Sequence, residues 1–360
     1  MKGKSFKVIG IVFVIIGIVT TGIFGYYGYF DSPAKYNITL EQNLKDAAKI
    51  PIGAAVDSYR LQDNPEYRSL VIQQFNSIVA EWQMKMSPVF IEPNSYEWVH
   101  FDYLVNFAIE NNISIHGHAL LWHESTPLWV ENFNGTDAEF EQLIKTYIQT
   151  VVSRYKGKIA TWDVVNEAFD GPKYRDTVFY RRLGEDYIQK AFQWAHQADP
   201  DAKLYYNDYS MTSYTEKIDF IIQEIGLMVN DSVPIHGIGI QEHITSNSPN
   251  IGLMNESLHK WNQLGLEIRV SELDIQMNEN QRLRVLTQKA AVDQKQRYYK
   301  VISLYLTCPK LTGITLWGVS DAYSWIPDFV GHPDWPLLFD ENLKPKPAAE
   351  GFLNALKDAK

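Results

Sequence analysis

The sequence predicts an α/β chain closed into one (β/α)₈ barrel, with an apolar N-terminal segment ahead of it. Three observations predict it. Eight short, apolar and largely β-branched runs recur along the chain, each followed by a stretch of helical length. Buried parallel strands read in this way, as near-continuous apolar runs. Two of the runs end in a glutamate, and the C-terminal strand ends of a closed parallel barrel are where chemistry collects. A doubly wound open sheet is the competing topology, but no glycine-rich phosphate turn follows the first strand.

The N-terminus comes first. Lys2, Lys4 and Lys7 precede an uncharged, mostly apolar stretch over 8–30, as long as the roughly 20 residues needed to span a bilayer. Positive charge before it and none within it predict a single-pass anchor that leaves the rest of the chain outside the cell. Secretion after signal cleavage is the alternative, with Ser32-Pro33-Ala34 as the cleavage candidate. The expected organisation is an anchor or signal over 1–30, a polar linker over 31–39 and one catalytic barrel over 40–360, monomeric and without a second domain.

After a helical stretch at 44–49, strands are expected at 52–56, 83–90, 114–122, 161–166, 203–207, 235–241, 267–273 and 314–318. Amphipathic runs at 67–80, 137–155, 184–198, 216–230 and 282–306 supply helices between them, and 347–356 supplies the last.

Composition narrows the ligand. The formal net charge of −10 disfavours nucleic acid and other polyanions. Ten Trp beside 21 Tyr and 17 Phe exceed what a core requires, and indole faces stack on sugar rings. The single cysteine, Cys308, excludes an intramolecular disulfide and a four-cysteine zinc site. It reads as a buried thiol near a helix end.

Two segments carry the chemistry. Trp162-Asp163-Val164-Val165-Asn166-Glu167 is an apolar strand ending in Asn-Glu, and Ser271-Glu272-Leu273-Asp274 closes another. Two carboxyl groups meeting across one pocket are what glycoside hydrolysis uses: one protonates the leaving oxygen, the other attacks the anomeric carbon. The apolar surroundings of Glu167 suit the acid, whose proton must be retained near neutrality. Asp274 shares a strand face with Glu272, an arrangement that invites a bridging histidine, and His243 is the best placed. His116 and His118 at i and i+2 admit a metal-dependent reading, with His236 and His243 as further ligands. Hydrogen bonding to sugar hydroxyls competes with it. No metal or cofactor is expected. Glu81 and Lys85, placed before or at the start of the second strand, are candidate hydroxyl binders. Trp317 and Trp325 are candidate walls of the cleft.

Together these residues resemble glycoside hydrolase family 10, the retaining endo-1,4-β-xylanases, from Leu44 to the C-terminus. Gly117-His118-Ala119-Leu120-Leu121-Trp122-His123 is similar to one family motif. The segments ending in Glu167 and Glu272 are similar to those carrying the family's acid/base and nucleophile. Asn207-Asp208-Tyr209, Gly239-Ile240-Gln241, Trp317-Gly318-Val319-Ser320-Asp321 and Lys346-Pro347-Ala348 also match. The resemblance implies a barrel of the TIM type acting on β-1,4-linked xylan or xylo-oligosaccharides. It implies that Asn166 binds the 2-hydroxyl at the cleavage subsite, and that Lys85, His118, Gln241, Trp317 and Trp325 line the glycone side. Trp82 departs from the pattern, standing where an asparagine is usual. His116 stands where an arginine is common, and Ala119 where a threonine is. Altered glycone subsites, favouring short or decorated chains, are therefore expected. The rival functional readings are a non-catalytic carbohydrate-binding barrel and a metal-dependent barrel hydrolase.

Overall fold

The computed structural model describes residues 32–359. The segment expected to anchor the chain, 8–30, lies outside the described residues. Among the described residues no helix is long and apolar enough to cross a membrane.

Eight parallel strands close on themselves: β1 Ile52–Val56, β2 Ser77–Ala80, β3 Ser114–Gly117, β4 Thr161–Asn166, β5 Lys203–Asp208, β6 Gly237–Ile240, β7 Glu267–Gln276 and β8 Leu311–Leu316. Each pairs with the next, and β8 returns to β1 through Ile314 beside Ile52. The ring leaves no open edge among these strands. Leu121–Trp122 extends β3 along β4, and His243–Thr245 extends β6 along β7.

Helices cover the outside, and their ends follow local chemistry. The helix Asp137–Arg154 opens on a reciprocal cap, in which Thr136 and Glu139 each accept the other's backbone N–H, stabilising the first turn. The helix expected over 184–198 spans Tyr187–Ala198, and a shorter helix not expected from the sequence, Val178–Leu183, precedes it. Gly184, at φ +77° and ψ −170°, takes a positive-φ conformation open chiefly to glycine and ends the shorter helix. The helix expected from 282 starts at Gln288, where Thr287 caps the N–H of Ala290 at 3.2 Å.

Two further expectations are corrected. The second strand is not 83–90. The helix before it stops at Gln74, and Ser77–Ala80 forms β2, buried along its whole length. A four-residue strand with no exposed face has no period of its own and merges with the preceding helical pattern. Glu81 and Lys85 therefore follow β2 and stand at the barrel mouth. Within the expected polar linker, Ala34 N–H donates to the Leu286 carbonyl at 2.7 Å. β7 runs on to Gln276, three residues beyond its expected end.

Two strands break register where the site is built. β4 slips against β5 between Asp163 and Val165, and β7 slips against β8 between Val270 and Leu273. A bulge interrupts the alternation of side chains. In β4, Asp163 and Asn166 both turn inward although they are three residues apart. In β7, the adjacent Ser271 and Glu272 reach the same side chain, Asn207, at 2.6 and 2.7 Å. Gly239 makes room for that asparagine: a Cβ there would stand 2.2 Å from Asn207 Oδ1.

Candidate active site

The C-terminal mouth holds a cleft of about 620 Å³. Glu167 and Glu272 both line it, with Glu81, Lys85, His118, Trp122, Asn166, Gln241, His243, Trp317 and Trp325. Asp274 stands behind the cleft wall, fully buried.

Glu272 is held by side chains. Its Oε1 accepts from Asn207 Nδ2 at 2.7 Å and its Oε2 from His243 Nε2 at 3.2 Å. The other nitrogen of His243 lies 3.0 Å from Asp274 Oδ2, which also accepts the Trp325 indole N–H at 2.8 Å. Burial opposes a charge on His243, but Asp274 and Glu272 outweigh it and lift the imidazole to about 10. Both its nitrogens then donate. Burial would also raise Glu272. The His243 hydrogen bond and the surrounding positive charge, Lys85 included, prevail and hold its carboxyl below the usual range.

Glu167 is held differently. Its Oε1 accepts from the neutral amides of Gln241 at 2.9 Å and Asn166 at 3.3 Å. Its backbone lies at φ +57°, a left-handed conformation that costs a side-chain-bearing residue about 1–2 kcal/mol. The neighbouring peptides are pinned: its N–H donates to the Asn207 carbonyl at 2.9 Å, and its carbonyl accepts from Arg175 Nε at 3.0 Å. Asn207 Nδ2 also donates to Asn166 Oδ1 at 2.8 Å. An unbroken chain of amides thus links the two carboxylates.

The cleft has an aromatic flank. The Lys85 ammonium lies 4.2 Å from the Trp122 ring centroid, 5.4 Å from Trp317 and 5.7 Å from Trp82. Burial lowers the lysine's affinity for its proton. Glu81 turns one oxygen to Arg60 at 3.0 Å. Burial raises its carboxyl to about 7 despite the arginine. Trp82 stands at the rim, 44% exposed.

The histidine pair does not open onto a metal position. His116 Nε2 and His118 Nδ1 both face one oxygen, Asp163 Oδ2, at 3.0 and 2.9 Å. His116 is turned into the barrel, also meeting Thr161 Oγ1 at 2.7 Å. His236 accepts the Leu204 N–H at the opposite end of its strand. Among the described residues no group of three or more His, Cys, Asp or Glu is arranged to hold a metal ion. Cys308 is free and buried, after the helix Gln288–Tyr305.

Sequence reasoning gave no role to several residues in or around the cleft. Arg175, Tyr209, Ser210 and Phe329 line it, and Asn207 joins Glu272 to Asn166 and so to Glu167. The Asn-Asp-Tyr run at a strand end marked Asn207 and Tyr209 as noteworthy. Arg175 lies in a loop and Phe329 on the short helix Ile326–Val330, and only tertiary folding sets where either stands.

The sequence model of glycosyl hydrolase family 10 matches residues 39–355. The chain belongs to this family. A β-1,4-xylanase of Dictyoglomus thermophilum is 38% identical over 85% of this chain and 89% of its own length. Endo-1,4-β-xylanase B of Paenibacillus barcinonensis is 37% identical over 83% and 93%. Among solved structures, a family 10 member from Paenibacillus barcinonensis superposes with a TM-score of 0.84 at 33% identity, over 88% of this chain and 97% of that one. A mutant xylanase 10C of Cellvibrio japonicus in complex with xylopentaose gives 0.86 at 33% identity, over 90% and 71%. The family 10 barrel thus accounts for nearly all the described residues, and the two rival readings gain no support.

Proposed function

We infer that this chain is a retaining endo-1,4-β-xylanase that cleaves xylan or xylo-oligosaccharides by double displacement. One observation carries the assignment of roles. Two glutamates, one carried by β7 and one following β4, line one cleft, and of the two only Glu272 is hydrogen-bonded to a cation. In the first step a Glu272 oxygen bonds to the anomeric carbon as the bond to the leaving oxygen breaks and Glu167 gives that oxygen a proton. In the second, Glu167 takes a proton from water, the water oxygen bonds to the anomeric carbon, and the Glu272 ester bond breaks. Asn166, Gln241, His118 and Lys85 supply hydrogen bonds to the sugar held between them, and Trp317 and Trp325 supply its walls. His243 and Asp274 orient the nucleophile and keep it ionised.

The test is a product profile on xylan, cellulose and mixed-linkage glucan, followed by NMR during early hydrolysis. Xylo-oligosaccharides released first as the β-anomer are expected. First release of the α-anomer would overturn the double displacement, and equal turnover of cellulose would overturn the substrate assignment.

Two finer readings go with it. Trp82 places an indole where a distal glycone sugar would sit, so added glycone sugars gain little and decorated ones are tolerated. Kinetics on unbranched xylo-oligomers of increasing length check this: a steep gain with each added glycone sugar would count against it. Residues 8–30 anchor the enzyme at the outer face of the cell membrane, with secretion after cleavage as the alternative. Activity that stays with membranes through alkaline washing supports the anchor, and activity in the soluble fraction supports cleavage.

A further inference from the structure

The peptide unit that joins Glu167 to Ala168 is gripped at both ends, and both grips trace back to one buried ion pair. Asp208 and Lys217 are buried, with Lys217 Nζ donating to Asp208 Oδ1 at 2.6 Å. From Asp208, one arm runs through Tyr206. The Tyr206 hydroxyl donates to Asp208 Oδ2 at 2.5 Å and accepts the Ala168 N–H at 3.1 Å. From Lys217, the other arm runs through Tyr209. The ammonium sits 3.6 Å from the Tyr209 ring centroid. The Tyr209 hydroxyl accepts from Arg175 Nη2 at 2.7 Å, and Arg175 Nε donates to the Glu167 carbonyl at 3.0 Å. The two arms thus end on the N–H and the C=O of the same peptide unit, the one whose rotation sets ψ of Glu167.

We propose that the Asp208–Lys217 pair, acting through Tyr206 and Arg175, is a positioning device that aims the Glu167 carboxyl at the leaving oxygen. The backbone of Glu167 occupies a region that side-chain-bearing residues leave when they can. A buried ion pair is costly to leave half-made, so it fixes what it is bonded to. Tyr206 and Asp208 do not line the cleft, and their effect reaches the sugar only through Glu167.

The inference rests on Glu167 being the general acid. A positioning role predicts loss only where the proton matters, whereas a loosened fold slows every substrate alike. The measurement is kcat/KM for aryl β-xylobiosides whose leaving groups range from dinitrophenol, which departs without a proton, to phenol, which needs one. For Tyr206→Phe the phenyl substrate is expected to slow about 10- to 100-fold, with the dinitrophenyl substrate slowed far less. An unchanged dependence on the leaving group overturns the proposal, whatever the absolute rates. Should Tyr206→Phe fail to fold by circular dichroism, Asp208→Asn takes the same measurement under the same criterion. Glu167→Ala is the control. If it too leaves the leaving-group dependence unchanged, the assignment of the acid fails. If it steepens that dependence and Tyr206→Phe does not, only the positioning device fails.

Discussion

Glu272, within β7, and Glu167, just past the end of β4, belong to two strands of one barrel, yet their surroundings are opposite. Glu272 is fixed by side chains, among them an imidazolium locked onto Asp274. Glu167 is fixed by its backbone, and its carboxyl meets only neutral amides. A cation next to a carboxylate stabilises the charge, whereas amides orient it without demanding it. The lesson is that two identical side chains are given two tasks by what donates to them. A nucleophile needs a permanent charge. A proton carrier must gain and lose its charge in each cycle.

Removing Glu272 is the harshest way to break this contrast. Glu272→Ala is expected to lose on the order of 10⁴-fold or more in kcat while still binding xylo-oligosaccharide, as titration calorimetry checks. Glu167→Ala comes next, losing roughly 10²–10⁴-fold on unactivated substrates. On a dinitrophenyl xylobioside it is expected to form the glycosyl-enzyme readily and release it slowly, giving a burst. Unimpaired release would contradict its role as base.

A subtler break removes the cation. Without His243, burial dominates at Glu272 and raises its carboxyl, which must be ionised to attack. For His243→Gln the acidic limb of the kcat/KM profile is therefore expected to move up by about one pH unit or more. Stability gives the matching sign. The folded His243 titrates at about 10, above its ordinary value near 6.5. Its stabilising contribution is full below about 6.5 and is lost as the pH rises through about 10. Urea unfolding of the wild type and His243→Gln should differ most at low pH and converge toward the alkaline end. The smallest effect is expected at the rim: Trp82→Asn should change KM for longer xylo-oligomers a few-fold, about 1 kcal/mol, and leave kcat near its starting value.

Much of this was legible in the residues. The runs around Glu167 and Glu272 read as strands because β-branched residues end abruptly in a carboxylate. Asp274 two residues beyond Glu272 pointed to a bridging histidine, and His243 occupies that place. The second strand was misread because Ser77–Ala80 is too short and too buried to show a period. Asn207, the amide shared by both halves of the site, could not be given its role from pattern. Its reach depends on the missing side chain of Gly239, directly beside it on the neighbouring strand, and on a bulge in a third strand.

The amino-acid sequence by itself determined the alternation of strand and helix, the two carboxylates and the excess of indole. These follow from local composition and periodicity, which neighbouring residues carry. Tertiary structure alone decided which donors meet each carboxylate and which residues turn inward past a bulge. Hydrogen bonds between strands far apart in the chain form only once the barrel has closed, and closure sets the register that brings them together.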